Sequence, residues 1–351
     1  MIWFLRITLV IKRIFFKKYC SMKFLSILII PLIFFLSCQQ LTDKKNANKQ
    51  TPEIAKKVQV PEFNADSAYH FVATQVAFGP RVSGMESHEQ CADWLVIKLR
   101  SFSDTVMVQP FKARTYDNIT RHGKNIIASF NLEKTKRILL MAHWDTRPFA
   151  DYDEDATKHR EPIDGANDGA SGVGVLLEAA RQFGLKAPDV GVDIVFFDLE
   201  DWGPPTDLEM YNEEYWGLGS QFWSKNPHIF GYKASYGILL DMVGAADPTF
   251  RKEYFSRQYA EFVLDKVWQR AFDLGYGNYF LDEDGAAIND DHVFVNKYAK
   301  IPSIDIIHLN PSGGNNSFFE HWHTTNDNME HIDKESLKIV GRVVLDVVYH
   351  E

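Results

Sequence analysis

The hydrophobic residues of this chain form short unbroken runs that alternate with longer amphipathic stretches. One apolar run, Ile194 to Phe197, leads to the carboxylates of Glu200 and Asp201, which is typical of a strand buried on both faces of a parallel sheet. The same patterns predict strands at 125–130, 137–142, 236–240 and 302–307, and helices at 65–77, 86–99, 173–183, 216–223, 258–274 and 334–349. A polar turn separates the first two strands, so we expect them to pair with each other.

Alternating strands and helices predict the fold class. They favour an α/β domain with an open, twisted, mixed but largely parallel sheet, covered by helices on both faces in three layers. The chain has 351 residues, of which 45% are hydrophobic and 24% charged, so its composition is that of an ordinary globular protein. Residues 62–351, about 290 in number, suit one large domain of this class.

Residues 1–37 resemble a secretory leader. A short basic start precedes an apolar run at 24–36, and Cys38 follows Ser37 as the lipidated cysteine follows the cut in a bacterial lipobox. We therefore expect an exported protein, held in the periplasm by a lipid on Cys38, with a disordered polar tether at 38–61. The alternative is an uncleaved membrane anchor, which the shortness of the run disfavours.

Charge and cysteine content exclude two further classes of protein. The formal net charge is −9 and no basic stripe is interleaved with aromatic residues, so no nucleic-acid partner is expected. The cysteines are Cys20, Cys38 and Cys91, and only Cys91 would remain unmodified after cleavage of the leader. A disulfide framework is therefore excluded, and Cys91, which falls in a helical pattern, is expected in the core.

Polar side chains recur at one topological position, directly after predicted strands or at the start of helices. Because the carboxyl ends of parallel strands meet at one edge of a sheet, these side chains should converge on a single crevice. Carboxylates and imidazoles are good zinc ligands, and a catalytic zinc keeps three protein ligands and one open position. Each residue alone has an ordinary explanation, such as helix capping by Asp168, but together they favour a metal site. The residues concerned are His143, Asp145, Asp168, Glu200, Asp201, Asp241, Asp290 and His323.

Five short motifs, in this order, carry a resemblance to a known family. They are Gly-Ala-Asn-Asp at 165–168, Phe-Phe-Asp-Leu-Glu-Asp at 196–201, Leu-Leu-Asp-Met-Val-Gly at 239–244, Asn-Asp-Asp-His at 289–292 and Trp-His-Thr at 322–324. With these motifs, the chain from about Phe78 to Glu351 resembles the animal-type glutaminyl-peptide cyclotransferases and their bacterial members. That family shares the fold of the zinc aminopeptidases of the M28 type, so the resemblance implies the same three-layer fold.

The resemblance implies one zinc ion per chain, held by Asp168, Asp201 and His323. The animal enzymes have Glu at the position of Asp201, and the shorter Asp keeps an oxygen ligand there. Glu200 matches the general base and acid of the family. The hydrogen-bonded carboxylates beside that base are matched by Asp241 and Asp290.

The resemblance also implies an aromatic substrate pocket. Trp322 and Phe318 match two of its walls, and Asn289 stands where the animal enzymes usually have Gln. The family has another pocket tryptophan after the Glu-Asp pair. Trp202 is too close to that pair to match it, and Trp216 follows a loop of unfamiliar length, so Trp216 is the candidate for this wall.

The implied reaction is cyclisation of an N-terminal glutamine to pyroglutamate with loss of ammonia, with zinc as a Lewis acid. The expected partners are peptides and proteins that begin with Gln, and we expect a monomer. A rival on the same fold is a two-zinc aminopeptidase, in which His143 and Asp241 hold a second ion bridged by Asp168. A more distant alternative is a surface lipoprotein without catalysis, which is disfavoured because none of the ligand and base positions is lost.

Overall fold

The computed structural model describes residues 58–310 and 318–351. The predicted leader, Cys38 and the tether as far as residue 57 lie outside the described residues. None of the helices in the described part has the length and apolar character needed to span a bilayer. These helices are α1 (Ala65–Ala77), α2 (Glu86–Arg100), α3 (Ala170–Leu185), α4 (Leu218–Lys225), α5 (Tyr254–Asp273), α6 (Asp291–Phe294) and α7 (Lys334–Tyr349).

The strands form one large sheet and one small sheet. They are β1 (Thr105–Arg114), β2 (Thr120–Phe130), β3 (Arg137–His143), β4 (Gly191–Phe197), β5 (Tyr236–Asp241), β6 (Phe250–Lys252), β7 (Phe280–Asp284) and β8 (Ser303–Ile307). The large sheet has the order β1-β2-β4-β3-β5-β8, and β6 pairs with β7 in the small one. Strands β4, β3, β5 and β8 are parallel, whereas β1 with β2 and β2 with β4 are antiparallel. The predicted mixed, largely parallel α/β sheet is confirmed.

The expected pairing of the strands at 125–130 and 137–142 is wrong. Strand β4 lies between β2 and β3, because Val195 pairs with Ile127 on one side and with Met141 on the other. The connection between β2 and β3 therefore passes across the start of β4 and spans two inter-strand spacings of about 4.8 Å each. Every residue of β4 is buried, which suits a strand paired along both edges.

Alternating side chains of the central strands build a core on each face of the sheet. Ile138 and Leu140 of β3 face a large core with α1, α2, α3, α5 and α7, whereas Leu139 lies in a smaller core with Trp223 of α4. Helices thus cover both faces, as the three-layer prediction requires. Cys91 of α2 is fully buried in the large core, and burial raises the pKa of its thiol to about 12.

Helix α3 approaches the sheet closely at the edge where the polar residues are expected. A Cβ added to Gly172 would lie 2.2 Å from the carbonyl oxygen of Leu240 on β5, so only glycine permits this approach. The segment before α3 is also bonded to the segment after β5, since the Gly244 amide donates to Asn167 Oδ1 at 2.7 Å. These contacts bring Asp168 next to the end of β5.

The carboxylate of Glu351 is expected to stabilise the fold at neutral pH. Burial alone would raise its pKa, but hydrogen bonds from Lys136, Lys266 and Tyr236 outweigh burial and lower the pKa from 4.5 to about 2. A carboxyl group whose pKa is lower in the folded state stabilises the fold above its unfolded pKa, and the contribution disappears as the pH falls through its folded pKa. Glu351→Gln should therefore lower Tm at neutral pH, with a difference that shrinks in acid, measured by thermal unfolding against pH.

Glu335→Gln supplies the control for this measurement, because Glu335 is exposed and, in the described part of the chain, forms an ion pair only with Lys338 on the same helix. Exposed pairs of this kind contribute little to stability. The control should show a small difference in Tm at every pH. A Glu351→Gln difference that is equally large at neutral and at acidic pH would contradict the assigned role.

Candidate active site

The polar residues predicted from the sequence converge at the carboxyl ends of the parallel strands. His143 ends β3 and Asp241 ends β5, while the side chain of Asp290 caps α6. Each is at most 8% exposed, so the cluster is buried. The remaining members lie just before α3, directly after β4, and between β8 and α7; they are Asp168, Glu200, Asp201 and His323.

Three of these side chains form a compact set of metal ligands. Ligand atoms of Asp168, Asp201 and His323 all lie within 4.8 Å of one another. His323 Nε2 is 3.2 Å from Asp201 Oδ1 and 3.5 Å from Asp168 Oδ2. Carboxylate oxygens and an imidazole nitrogen in this number match a catalytic zinc centre.

The surroundings of this set also fit a divalent cation. Asp201 Oδ2 is buried and has no hydrogen-bond partner among the described residues. Burial alone would raise the pKa of Asp201, but the neighbouring His323 and Arg147 lower it to about 2, so this carboxyl is ionised. A buried, ionised oxygen without a partner is costly unless a cation pairs with it. The residues present therefore fit the zinc that the sequence predicts.

A second set of ligands shares Asp168 with the first. His143 Nε2 lies 3.1 Å from Asp168 Oδ1 and 3.1 Å from Asp241 Oδ1. Burial would lower the pKa of His143, but hydrogen bonds from its ring to the carboxylates of Asp145, Asp168 and Asp241 raise it well above the ordinary value. The geometry thus retains the side chains that a two-metal site would need.

Glu200 lies beside the first set in an environment suited to proton transfer. Its main-chain amide donates to Asp145 Oδ1 at 3.0 Å, and the Asp201 amide donates to the other oxygen of Asp145 at 3.3 Å. Asp145 thus fixes the turn that presents Glu200 and Asp201. Burial, together with Asp290 and Asp201, raises the pKa of Glu200 well above its ordinary value, although His143 opposes this.

The two carboxyl groups predicted beside Glu200 also have raised pKa values. Burial raises the pKa of Asp241 to about 7, even though His143 acts in the opposite direction. Burial likewise raises the pKa of Asp290. Asp290 interacts electrostatically with both Glu200 and Asp241, and acids coupled in this way exchange protons as a group rather than as separate residues.

Aromatic rings lie against the metal-ligand histidine. The ring of Trp322 is nearly parallel to that of His323 at 3.7 Å between centroids, and Phe318 contacts Trp322 at 4.5 Å. Trp216 is parallel to His323 within 9° at 6.3 Å. The structure therefore brings all three predicted aromatic walls together. Tyr152, which the sequence did not single out, packs on Trp322 at 4.6 Å.

Two further residues from the sequence are placed by the structure. Asn289 precedes Asp290, and its side-chain amide donates to the carbonyl of Glu213 at 3.2 Å, which ties it to the loop that carries Trp216. Trp202 is nearly fully buried in a separate apolar cluster, where the guanidinium of Arg121 lies 4.1 Å from its ring. Trp202 is therefore not a wall of the crevice.

Several buried charged residues of the site were missed by sequence reasoning. Asp327 accepts hydrogen bonds from the amides of Asn167 and Asp168 at 2.7 and 3.0 Å, so it fixes the main chain of a metal ligand. Asp305 on β8 lies within 4.8 Å of Asp290, and burial raises its pKa well above the ordinary value. The others are Arg147, Asp151 and His292.

Proteins of known family are similar to this chain in both sequence and fold. The model of the family described as Peptidase family M28 matches residues 125–348. A crystal structure of a Zn-dependent exopeptidase from Parabacteroides distasonis is 52% identical, with a TM-score of 0.82 over 84% of this chain and 100% of its own. The Bacteroides thetaiotaomicron glutaminyl cyclase bound to N-acetylhistamine is 50% identical, with a TM-score of 0.82 and the same coverage. Glutaminyl-peptide cyclotransferase of Bos taurus is 27% identical over an alignment 289 positions long, and the match covers 72% of this chain and 70% of the bovine one.

The chain belongs to peptidase family M28, whose model covers well over half of its length. Within that family, the resemblance to glutaminyl-peptide cyclotransferases is confirmed by the Bacteroides thetaiotaomicron and Bos taurus proteins. Zinc is the metal that both the donor set and the family indicate.

Proposed function

We propose that this protein is a glutaminyl-peptide cyclotransferase, which converts the N-terminal Gln of peptides and proteins to pyroglutamate and releases ammonia. The observation that carries the proposal is a buried metal-ligand set with Glu200 beside it and two tryptophan rings, Trp216 and Trp322, stacked against its histidine. The 50% identity to a glutaminyl cyclase over 84% of the chain supports it.

The substrate supplies both reacting groups, so the site needs no external nucleophile. The α-amine attacks the γ-carbonyl carbon of the same glutamine, a bond to that carbon forms, and the bond to the amide nitrogen breaks. The aromatic walls would hold the side chain curled toward its own amine, which provides proximity and orientation. An α-amine with a pKa of about 7.7–8.0 is already partly neutral near pH 8, which favours attack.

Glu200 would move the proton. It accepts a proton from the attacking amine and returns one to the leaving nitrogen, so that ammonia departs. Its raised pKa makes Glu200 a stronger base than an ordinary carboxylate, and the carboxyl that has accepted a proton can then donate it. Asp241 and Asp290, with their raised pKa values, would keep the neighbouring protons in place around Glu200.

Asp168, Asp201 and His323 would hold the metal. Bound zinc would supply a Lewis acid for the γ-carbonyl oxygen and its developing negative charge. Two carboxylates and one imidazole around a divalent ion leave the site formally neutral, which matches its burial.

The direct test is release of ammonia from a dipeptide that begins with Gln. We expect the full chain to release ammonia and form pyroglutamate, to lose this activity on incubation with a chelator, and to regain it when zinc is added. A dipeptide that begins with Asn is the matched negative control, because its side chain is one methylene shorter and the ring formed by cyclisation would be strained. Cleavage of the Gln-peptide to free amino acids without ammonia would refute the proposal.

The second candidate is a two-zinc aminopeptidase, which the His143–Asp168–Asp241 set favours. We propose instead one zinc per chain, because Asp168, Asp201 and His323 already supply the three protein ligands that a catalytic zinc keeps. Metal analysis of protein loaded with excess zinc and then desalted should give about one zinc per chain, as the family resemblance implies. Two tightly held ions, together with release of an N-terminal Leu, would favour the aminopeptidase, and absence of metal would favour a binding protein.

We further propose that the enzyme acts as a monomer in the periplasm, held there by a lipid on Cys38. The supporting observation is the leader-like sequence at 1–37 followed by that cysteine. Labelled palmitate should be incorporated by the parent chain and not by Cys38→Ser. Light scattering of the detergent-extracted protein should give the molecular mass of one chain if the enzyme is a monomer.

A further inference from the structure

Arg147 is the most heavily bonded side chain around the candidate active site. It is 1% exposed, and it donates to both carboxylate oxygens of Asp151 at 2.8 and 2.9 Å. Its Nη1 also donates to the side chain and the main-chain carbonyl of Asp201, each at 3.3 Å. The carbonyls of Gly203 and Pro204 accept at 3.3 and 3.2 Å. All three nitrogens of the planar guanidinium therefore donate hydrogen bonds, and their acceptors are two acidic residues and the loop that follows Asp201.

Both acids bonded to Arg147 act on the metal ligands. Asp201 is itself a ligand of the first set, and Asp151 Oδ1 lies 3.6 Å from His323 Nδ1, on the side of the ring away from the metal-facing nitrogen. This separation is an ion-pair distance and not a hydrogen bond, and His323 Nδ1 is buried with no hydrogen-bond partner among the described residues, so Asp151 is the nearby acceptor for it. A carboxylate on this side of a metal-ligating histidine commonly orients the ring and increases its basicity. One arginine thus supports two of the three proposed zinc ligands, one of them directly and the other through Asp151.

Arg147 also contacts the substrate side of the site. Its guanidinium carbon lies 4.9 Å from the ring centre of Trp216, and that ring is parallel to His323 within 9°. A guanidinium stacked on an indole gains cation–π attraction and restricts the ring to one orientation. The metal ligands and one wall of the pocket are therefore linked through a single side chain.

We propose that Arg147 is a positioning residue that sets both the zinc affinity of the site and the orientation of Trp216 as a wall of the substrate pocket. The second part of this inference rests on the proposed function, whereas the first part does not. Lysine cannot replace this role, because its single ammonium cannot bond Asp151 through two parallel contacts, reach Asp201 and stack on Trp216 together.

Arg147→Lys tests the proposal in the full-length protein. We expect zinc affinity, measured by competition with a chromogenic chelator, to fall by about 10–100-fold, as for other groups that orient metal ligands. We also expect KM for a Gln-dipeptide to rise at saturating zinc, because Trp216 loses its support. The zinc measurement needs no substrate, so it decides the first part even if the protein does not cyclise glutamine.

Arg121→Lys is the matched control. Arg121 also stacks on a tryptophan, Trp202 at 4.1 Å, and pairs with an acid, Asp117 at 3.1 Å, but it contacts none of the proposed zinc ligands. Its substitution should leave both zinc affinity and KM at the parental values. Equal effects from the two substitutions would show a general loss of stability and would overturn the proposal.

Asp151→Asn keeps the proposal testable if Arg147→Lys does not fold. It retains the side-chain volume and leaves Arg147 in place, while it weakens the link from Arg147 to His323. Zinc affinity should again fall, with little change in the fold measured by circular dichroism. Parental zinc affinity in folded Arg147→Lys or Asp151→Asn, whatever the change in Tm, would refute the inference and leave the proposed cyclisation intact.

Discussion

Replacing Glu200 with Gln is expected to abolish most turnover while the zinc content and the fold stay unchanged. Glutamine fills the same volume, but its amide cannot accept the proton of the attacking amine. General acid–base groups contribute about 10²–10⁴-fold to rates, so the rate of ammonia release from a Gln-dipeptide should fall by that amount. Zinc should be retained, because Glu200 does not belong to the compact ligand set of Asp168, Asp201 and His323.

Glu214→Gln is a suitable control, since Glu214 is exposed on the loop between β4 and α4. Its substitution makes the same change of charge outside the crevice. It should keep parental turnover. Full activity in Glu200→Gln would show that another group moves the proton. Loss of zinc from that variant would instead show that Glu200 contributes to the metal site.

Helix ends could be predicted from the sequence where a polar cap marks them. The helices predicted at 65–77 and 334–349 are found with those bounds. Asn64 accepts from the Ser67 amide at 2.9 Å, and Asp333 accepts from the Ser336 amide at 2.8 Å. Capping depends on residues that are close in sequence, so it can be recognised without the fold.

Strand order could not be predicted, because pairing partners are distant in sequence. The apolar patterns located β2, β3 and β4 but do not show that β4 lies between the other two. One signal was present: Arg137 begins β3 and Asp193 interrupts the apolar run of β4, and they form a buried ion pair at 2.6 Å. A charged residue within a buried strand needs a partner, and that requirement identifies the neighbouring strand.

Strand β1 was missed for a different reason. It contains Pro110, and most of its residues are exposed or half-buried without regular alternation. Both features are typical of an edge strand, which the period-two pattern detects poorly. Among the described strands, β1 is paired only with β2, at the edge of the sheet.

The candidate site was partly predictable because several of its residues, namely His143, Glu200, Asp201 and Asp241, end or closely follow parallel strands. Topology brings the ends of parallel strands together, so the position of a residue just after a strand is enough to place it in the crevice. Asp305 was missed although it interrupts the apolar strand Ser303–Ile307, which was a usable signal. Asp327 and Arg147 lie in irregular segments, where nothing local indicates that they bond the main chain of Asp168 or the side chain of Asp201.

Trp216 illustrates why loop length was a poor guide. The loop after β4 returns to its own start, since the Gly217 amide donates to the Glu200 carbonyl at 2.9 Å and the Leu218 amide donates to the Leu199 carbonyl at 3.0 Å. These bonds bring Trp216 back to the crevice whatever the length of the loop between them. Such closure costs conformational entropy that grows only slowly with loop length, so insertions there are tolerated.

Replacing Asp168 with Ala is expected to remove both zinc and activity. Asp168 belongs to both ligand sets. Its main-chain amide donates to the Asp327 carboxylate at 3.0 Å, which holds this segment in place, so neighbouring residues cannot move to replace the lost ligand. Ammonia release should fall to the background rate. Zinc at a thousand times its Kd would stabilise the parent by about 4 kcal/mol and raise its Tm, whereas the variant should show no such shift.

Asp273→Ala, at the exposed end of α5, removes a carboxylate far along the chain from the ligand motifs and should keep the zinc-dependent rise in Tm. Asp168 belongs to the ligand set of a one-zinc site and to that of a two-zinc site. Asp168→Ala therefore tests where the metal binds and not how many ions bind. Parental Tm shifts and parental turnover in Asp168→Ala would place the metal elsewhere. The reason is that Asp201 and His323 alone would be one protein ligand short of the three that a catalytic zinc keeps, so they could not bind the ion tightly.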